Sequence, residues 1–325
     1  MAKAISANLP KFLIIGAMKA GTTSLFHDLN AHPNIFLPAD KEPHNLCRNE
    51  VLAEKGRARY ARIYTPALAS QICGDASTGY SKLPDLVGVV NRACAVLGKD
   101  IKVIYLVREP VARIVSQHHH DCTPGYYASR AMTGRIDNDL HIAPELINYS
   151  RYAMQIDPWI NAFGRDHVAI IAFEEYIASR RQIVDQLLDF IGISNAGCEI
   201  DTEAVHNANE NRLSVGPIWG RVQRSLAYRR LLRPFLSSQV RSMLKQRVVP
   251  KAPPRPAPPK PETVDFILET LAPDMEQLRV ILGKTEPVWD IGELRAKWHE
   301  RYARWEAMHT NDPTCDAMAP QGINK

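Results

Sequence analysis

Gly16 and Gly21 frame four residues, Ala-Met-Lys-Ala, and Thr22, Thr23 and Ser24 follow at once. Between a strand and a helix, a glycine turn of this length aims backbone N–H groups at an anion. The helix N-terminus adds partial positive charge to the same spot. Lys19, Ala20, Gly21, Thr22, Thr23 and Ser24 are therefore candidates to hold a phosphate. A triphosphate-binding loop places a lysine directly after its second glycine. Here that position is Thr22, and the loop's lysine is Lys19. Asp75, after a weak strand pattern, is the sole candidate for a magnesium-holding acid. The loop is expected to take a phosphate but not a magnesium triphosphate.

A second anion site follows the run Ile101 to Val107. Arg108 would sit at the C-terminal end of a buried strand, where open α/β sheets bind ligands. Ser116 lies about two helical turns further on. Arg108 and Ser116 together can close on one phosphate, with the guanidinium making a forked contact. Two such sites at the ends of neighbouring strands point to one nucleotide carrying two separated phosphates.

At this point the chain resembles a known family. IGAMKAGTTSL looks like the 5′-phosphosulfate loop of the sulfotransferases that use 3′-phosphoadenosine 5′-phosphosulfate (PAPS), and VREPVARIVS resembles their 3′-phosphate motif. KEPH (41–44) is similar to the Glu-x-His segment of the heparan-sulfate-type branch, and GDASTGY (74–80) to its Gly-Glu-x-Ser/Thr-x-x-Tyr segment. FEEYIASRRQIVDQLLDFIGI (173–193) resembles the family's strand-helix segment, and the likeness runs well over residues 11–212. It implies in-line sulfuryl transfer from PAPS, with 3′-phosphoadenosine 5′-phosphate (PAP) as product. The acceptor would be a hydroxyl or an amine of a saccharide, glycolipid or similar metabolite. No metal is expected.

The resemblance assigns Glu42 as the catalytic base, while His44 remains an alternative base, an orienting group or an acceptor ligand. Lys19 fits the cation that neutralises the leaving 5′-phosphate. Lys41, Ser77, Tyr80 and His120 are expected to line the acceptor cleft, and Arg212, in an Asn-rich loop, to reach the 3′-phosphate. Ala76 stands where relatives often carry a lysine, and Lys82 is close but off register. His118 reads as a packed core histidine, since it continues the helix face of Val111 and Ile114. The segment Thr123 to Pro144 is read as acceptor-binding.

The elements that must place these residues follow from the hydrophobic pattern. FLIIG (12–16), ICGDAS (72–77), IKVIYLV (101–107) and HVAIIAF (167–173) read as strands. Helices are expected over Thr22–Ala31, Leu83–Leu97, Val111–His120, Glu145–Phe163 with a break before Pro158, Glu174–Ile191, Thr263–Leu282 and Ile291–Met308. The alternation predicts an α/β fold, a P-loop-like parallel sheet flanked by helices, with a helical C-terminal extension. The expected organisation is a PAPS-binding core at 1–215, a helical part at 216–310 packed on the same domain, and a loose tail at 311–325. Within the second part, segment 250–261 has seven prolines in twelve residues and reads as an extended linker or surface loop.

The 325 residues are 45% hydrophobic and 23% charged, which suits a soluble globular chain. A net charge of +5 suits an anionic ligand and falls short of a nucleic-acid binder. The six cysteines form no metal spacing, and no apolar run is long enough for a signal segment or a membrane span. A cytoplasmic enzyme is expected, with membrane-surface contact through the basic stretch Arg221 to Lys251. The oligomeric state is open. Two other readings stand beside the leading one: a P-loop kinase-like phosphotransferase and a non-catalytic polyanion-binding protein.

Overall fold

The computed structural model describes residues 9–122, 132–194 and 257–309. Its centre is a five-stranded parallel sheet in the order β2-β3-β1-β4-β5. The strands are β1 (Phe12–Gly16), β2 (Ile35–Phe36), β3 (Ile72–Ala76), β4 (Lys102–Val107) and β5 (Val168–Ala172). β1 is buried at every position, and β4 at every position after Lys102. That is why these runs are continuously apolar rather than alternating: both faces of the sheet are covered.

The helices α1 (Thr22–Asn30), α2 (Glu54–Arg62), α3 (Val89–Leu97), α4 (Pro110–Asp121), α5 (Ile136–Asp139), α6 (Glu145–Asn148), α7 (Tyr152–Phe163), α8 (Phe173–Ala178) and α9 (Arg180–Phe190) supply that cover. The crossover after β1 leads to β2 on one side, and the chain after β4 leads to β5 on the other. The sheet therefore has its switch point between β1 and β4, with a crevice at their C-terminal ends. The loops carrying Lys19 and Arg108 leave from those two strands.

Three expected helices differ in the structure. The one read from Leu83 begins only at Val89, because Pro84 lacks an N–H and Gly88 caps the helix in the left-handed region. The one read over Glu145–Phe163 breaks at Tyr149–Arg151 rather than before Pro158, which sits inside α7. Buried Arg113 explains the break: its guanidinium takes the Leu146 carbonyl (2.5 Å) and the Ser150 hydroxyl (2.5 Å). The one read over Glu174–Ile191 is two helices, parted at Ser179 with φ −133° and ψ 45°. Strand β2 and helix α2 were not expected at all.

Two C-terminal helices, α10 (Pro261–Ile281) and α11 (Ile291–His309), pack onto the sheet domain. Val264, Ile267, Leu271, Leu278, Trp289 and Trp298 join the same buried cluster as β1 and β4. Pro261, read as the end of the linker, is the first residue of α10, where its missing N–H costs nothing. Arg221 to Lys251 and the 250–256 part of the proline-rich segment lie outside the described residues. Among the described residues, no helix is long and apolar enough to cross a membrane.

Candidate active site

The loop after β1 has the shape its sequence predicts. Gly21 caps α1 at φ +89°, where an added Cβ would fall 2.5 Å from the Phe173 ring. Lys19 adopts φ +70° without being glycine, a left-handed backbone that must be held by its surroundings. The holder is Arg108, whose Nη1 donates to the Lys19 carbonyl at 3.0 Å. The same guanidinium lies over the Phe173 ring, 4.8 Å from its centroid. Arg108 is thus fixed on the loop after β1 itself, which sequence spacing alone does not show. Ala20 is buried, and Thr22, Thr23 and Ser24 open α1 with their hydroxyls in its first turn. Ser116 is half-buried two turns into α4.

The Lys41–His44 segment reaches this loop from the far side. Lys41 Nζ donates to Glu42 Oε1 at 3.0 Å and to Thr22 Oγ1 at 3.5 Å, so one ammonium spans the carboxylate and the start of α1. Glu42 Oε2 accepts from Thr78 Oγ1 at 3.0 Å and lies 3.2 Å from His44 Nε2. Glu42 and His44 both have positive φ, at 67° and 54°. Two strained non-glycine residues flanking one carboxylate mark a segment whose conformation is imposed. A cleft of about 360 Å³ begins at Pro43 and His44 and is lined further by Asn45, Arg48 and Arg59.

Burial opposes ionisation of Glu42, but the His44 hydrogen bond and the Lys41 ammonium outweigh it and lower its pKa to about 2. A side chain whose ordinary value is 4.5 then stabilises the fold fully above pH 4.5. That contribution drains away as the pH falls toward about 2. Glu42→Gln is therefore expected to lose less stability than the parent across that window. Urea titrations at stepped pH check it, and parallel curves for the two proteins would refute it.

Ser77 and Tyr80 do not line a cleft, contrary to expectation. Both are buried, and both hydroxyls donate to Asp75 at 2.7 Å, joined by Tyr60 from α2 at 2.7 Å. Asp75 is wholly buried at the end of β3, so it is also not a magnesium-facing acid. Burial raises its pKa, against these three hydroxyl donors. Ser77 Oγ in turn receives the His44 N–H at 3.2 Å. The Asp75 cluster is a brace behind the Glu42 segment.

Lys82 follows the turn that carries Thr78. Burial lowers its pKa, against the pull of Glu42 and Asp121. Its Nζ lies 5.3 Å from the Tyr149 ring centroid. Its neighbour in charge, Asp121, also feels the charge of Lys19, and Asp121 Oδ1 is buried without a hydrogen-bond partner among the described residues. Neither residue was a sequence candidate; a lysine a few positions off register was the only signal. His120, half-buried, precedes Asp121 in the last turn of α4. His118 is fully buried, as read, and its Nε2 meets Asp139 Oδ2 at 2.7 Å. Arg212 and residues 123–131 of the acceptor segment lie outside the described residues.

The family described as "Sulfotransferase domain" matches residues 9–214. Human heparan sulfate glucosamine 3-O-sulfotransferase 6 is 27% identical over 187 residues, which are 57% of this chain and 52% of that protein. The chain thus spans about half the length of that relative. The membrane-associated sulfotransferase kil1 of Dictyostelium discoideum is 33% identical over 111 residues, 34% of this chain and 23% of that one. A sulfotransferase from Alicyclobacillus acidocaldarius has a similar fold, with a TM-score of 0.56 at 21% identity over 88% of this chain and 98% of the other. With a glycine loop after β1, an arginine at the end of β4 and a family match over residues 9–214, more than half of its length, this chain belongs to the sulfotransferase family.

Proposed function

We propose that this protein transfers a sulfuryl group from PAPS to a hydroxyl of a saccharide or glycolipid headgroup. The loop Lys19–Ser24 takes the 5′ end of the nucleotide, and Arg108 with Ser116 takes the 3′-phosphate. Glu42 removes the acceptor proton. In the transfer, the bond from sulfur to the 5′-phosphate oxygen breaks and a bond to the acceptor oxygen forms. The acceptor proton passes to Glu42, and the charge left on the phosphate faces Lys19. The acceptor lies along the cleft of His44, Asn45, Arg48 and Arg59, whose volume suits a sugar unit. The named substrates of the relatives, heparan sulfate glucosamine residues, favour a sugar hydroxyl. On the same reading the acceptor is met in the cytoplasm.

One observation carries this reading: Lys41 joins Glu42 (3.0 Å) to Thr22 (3.5 Å). It puts a carboxylate one ammonium away from the loop where the donor's reactive end would lie. His44 supports Glu42 rather than replacing it. Its Nε2 faces the carboxylate, and its Nδ1 lies against Gly79, where an added Cβ would come within 2.7 Å.

The test is thermal unfolding with PAP, with ATP and magnesium, and with AMP. At ~100 times its dissociation constant PAP adds ~2.7 kcal/mol. A shift of a few degrees, independent of magnesium, is expected for PAP. A shift with ATP and magnesium alone would install the kinase reading instead. Stabilisation by heparin without PAP, and no turnover of PAPS, would install the polyanion-binding reading.

A further inference from the structure

Residues 108 and 109 are held from behind by three hydrogen-bonded connections, and all three begin on the C-terminal segment 274–298. In the first, Trp298 Nε1 of α11 donates to Glu109 Oε2 at 3.1 Å. The other oxygen of that buried carboxylate receives the N–H groups of Val111 (2.8 Å) and Ala112 (3.2 Å), capping α4. In the second, Trp289 Nε1 donates to Glu174 Oε2 at 3.2 Å, and Glu174 Oε1 receives the Glu109 N–H at 3.0 Å. In the third, Asp274 of α10 accepts from Ala153 N (3.0 Å) and Met154 N (2.9 Å) at the start of α7. Tyr152, the residue just before them, puts its hydroxyl on the Arg108 carbonyl at 2.6 Å and within 3.3 Å of the Arg108 N–H.

The first and third connections run through buried side chains: Tyr152 is 0%, Trp298 1% and Glu109 2% exposed, whereas the second passes through Glu174 at the surface. Burial raises the Glu109 pKa, against Lys297 and Trp298. Ordinary packing needs no such convergence: helices 261–281 and 291–309 already bury a row of leucines, isoleucines and tryptophans. Two of these contacts end on the backbone of residues 108 and 109, and the third ends on the Glu109 carboxylate that caps α4, so together they fix a direction. The side chain whose direction they fix is Arg108, at the sheet's switch point.

We propose that the C-terminal helix pair, which lies beyond the family match at 9–214, is a positioning element for the 3′-phosphate arginine. Tyr152, steadied through Asp274, holds the Arg108 backbone itself, while Trp289 through Glu174 and Trp298 through Glu109 hold the backbone that follows it, at 109 and at 111–112. The inference rests on the donor reading of Arg108 given above. A forked guanidinium–phosphate contact depends on angle as well as distance, so small rotations of residue 108 weaken it selectively. A scaffold role and a positioning role then differ in one readout. A scaffold defect lowers stability alone, whereas a positioning defect erodes the preference for a 3′-phosphate.

The experiment is calorimetric binding of PAP and of AMP to the full chain and to Trp298→Phe and Asp274→Asn. Phenylalanine keeps an aromatic ring and deletes the N–H; asparagine keeps one acceptor. Each variant is expected to bind PAP about tenfold more weakly, in line with one lost hydrogen bond to a charged group, with AMP affinity unchanged. An unchanged ratio of the two affinities, with or without a lower melting temperature, overturns the proposal. Equal binding of PAP and AMP by the parent protein overturns the donor reading itself, so the two failures are separable. A second measurement needs no variant. Coupling is reciprocal, so PAP must slow amide exchange in residues 261–309 of the parent protein more than AMP does. Equal protection by the two nucleotides overturns the proposal whatever the variants do.

Discussion

Glu42→Gln is expected to lower kcat by about 10²–10⁴-fold, the usual contribution of a positioned general base. PAP affinity should stay within a few-fold of the parent. Glutamine keeps the shape of the side chain and one oxygen for the Lys41 ammonium or the Thr78 hydroxyl, which now lie at 3.0 Å from the two carboxylate oxygens. What it cannot do is take a proton. The low pKa of Glu42, about 2, opposes a base role in the free protein, and the resolution lies in Lys41. That ammonium is shared between Glu42 and Thr22, so an anionic donor at the loop draws it away from the carboxylate. Losing a neighbouring cation raises a carboxylate pKa. Glu42 is then ionised in the free protein and becomes more basic when the donor arrives. His44→Ala tests the alternative. It should cost less than Glu42→Gln, because His44 touches Glu42 through one nitrogen only. If Glu42→Gln kept kcat within tenfold of the parent while His44→Ala abolished turnover, histidine would be the base.

The parts of this site legible in the sequence are those where one local rule dominates. The loop from Gly16 to Ser24 reads directly, because glycine spacing and hydroxyls at a helix start have few other uses together. Arg108 reads directly, because an uninterrupted β-branched run must be a buried strand and its end must be near the sheet's crevice. The missed parts depend on contacts far apart in the chain. Helix α2, EKGRARYAR, has no apolar stripe; it exists because Gly56 sits against the backbone of Glu50 and Tyr60 reaches Asp75. Ser77 and Tyr80 look like cleft residues in a motif and become buried braces only because Asp75, between them and α2, has to be satisfied. The left-handed backbones of Lys19, Glu42 and His44 have no sequence signal, since none is glycine. Strain of that kind is visible only once the surroundings that impose it are in place. The anchoring of Arg108 from 274–298 is illegible for the same reason: its partners lie more than a hundred residues away.

Lys19 carries the second large expected effect. Removing one preorganised donor from a site of developing negative charge costs about 10²–10³ in kcat. Lys19→Met keeps the length and loses the charge, so that loss is expected for Lys19→Met, with PAP binding weakened about tenfold. Lys19→Gly separates chemistry from structure. At φ +70° a lysine carries a backbone penalty that glycine does not, while glycine gives up more chain entropy on folding. The two terms are each of the order of 1 kcal/mol and oppose one another. The glycine variant should therefore be as stable as the parent and as inactive as Lys19→Met. A melting temperature near that of the parent beside a collapse in turnover would mean that the strained conformation exists to aim the ammonium. If both variants instead kept turnover within tenfold of the parent, the leaving-group charge must be met elsewhere. Lys82 is then the first residue to examine: it feels the charges of Glu42 and Asp121, and Asp121 in turn feels that of Lys19. Lys82→Met in the Lys19→Met background decides between them, since two cations sharing one charge give a double loss larger than the product of the single ones, and unrelated residues give the product.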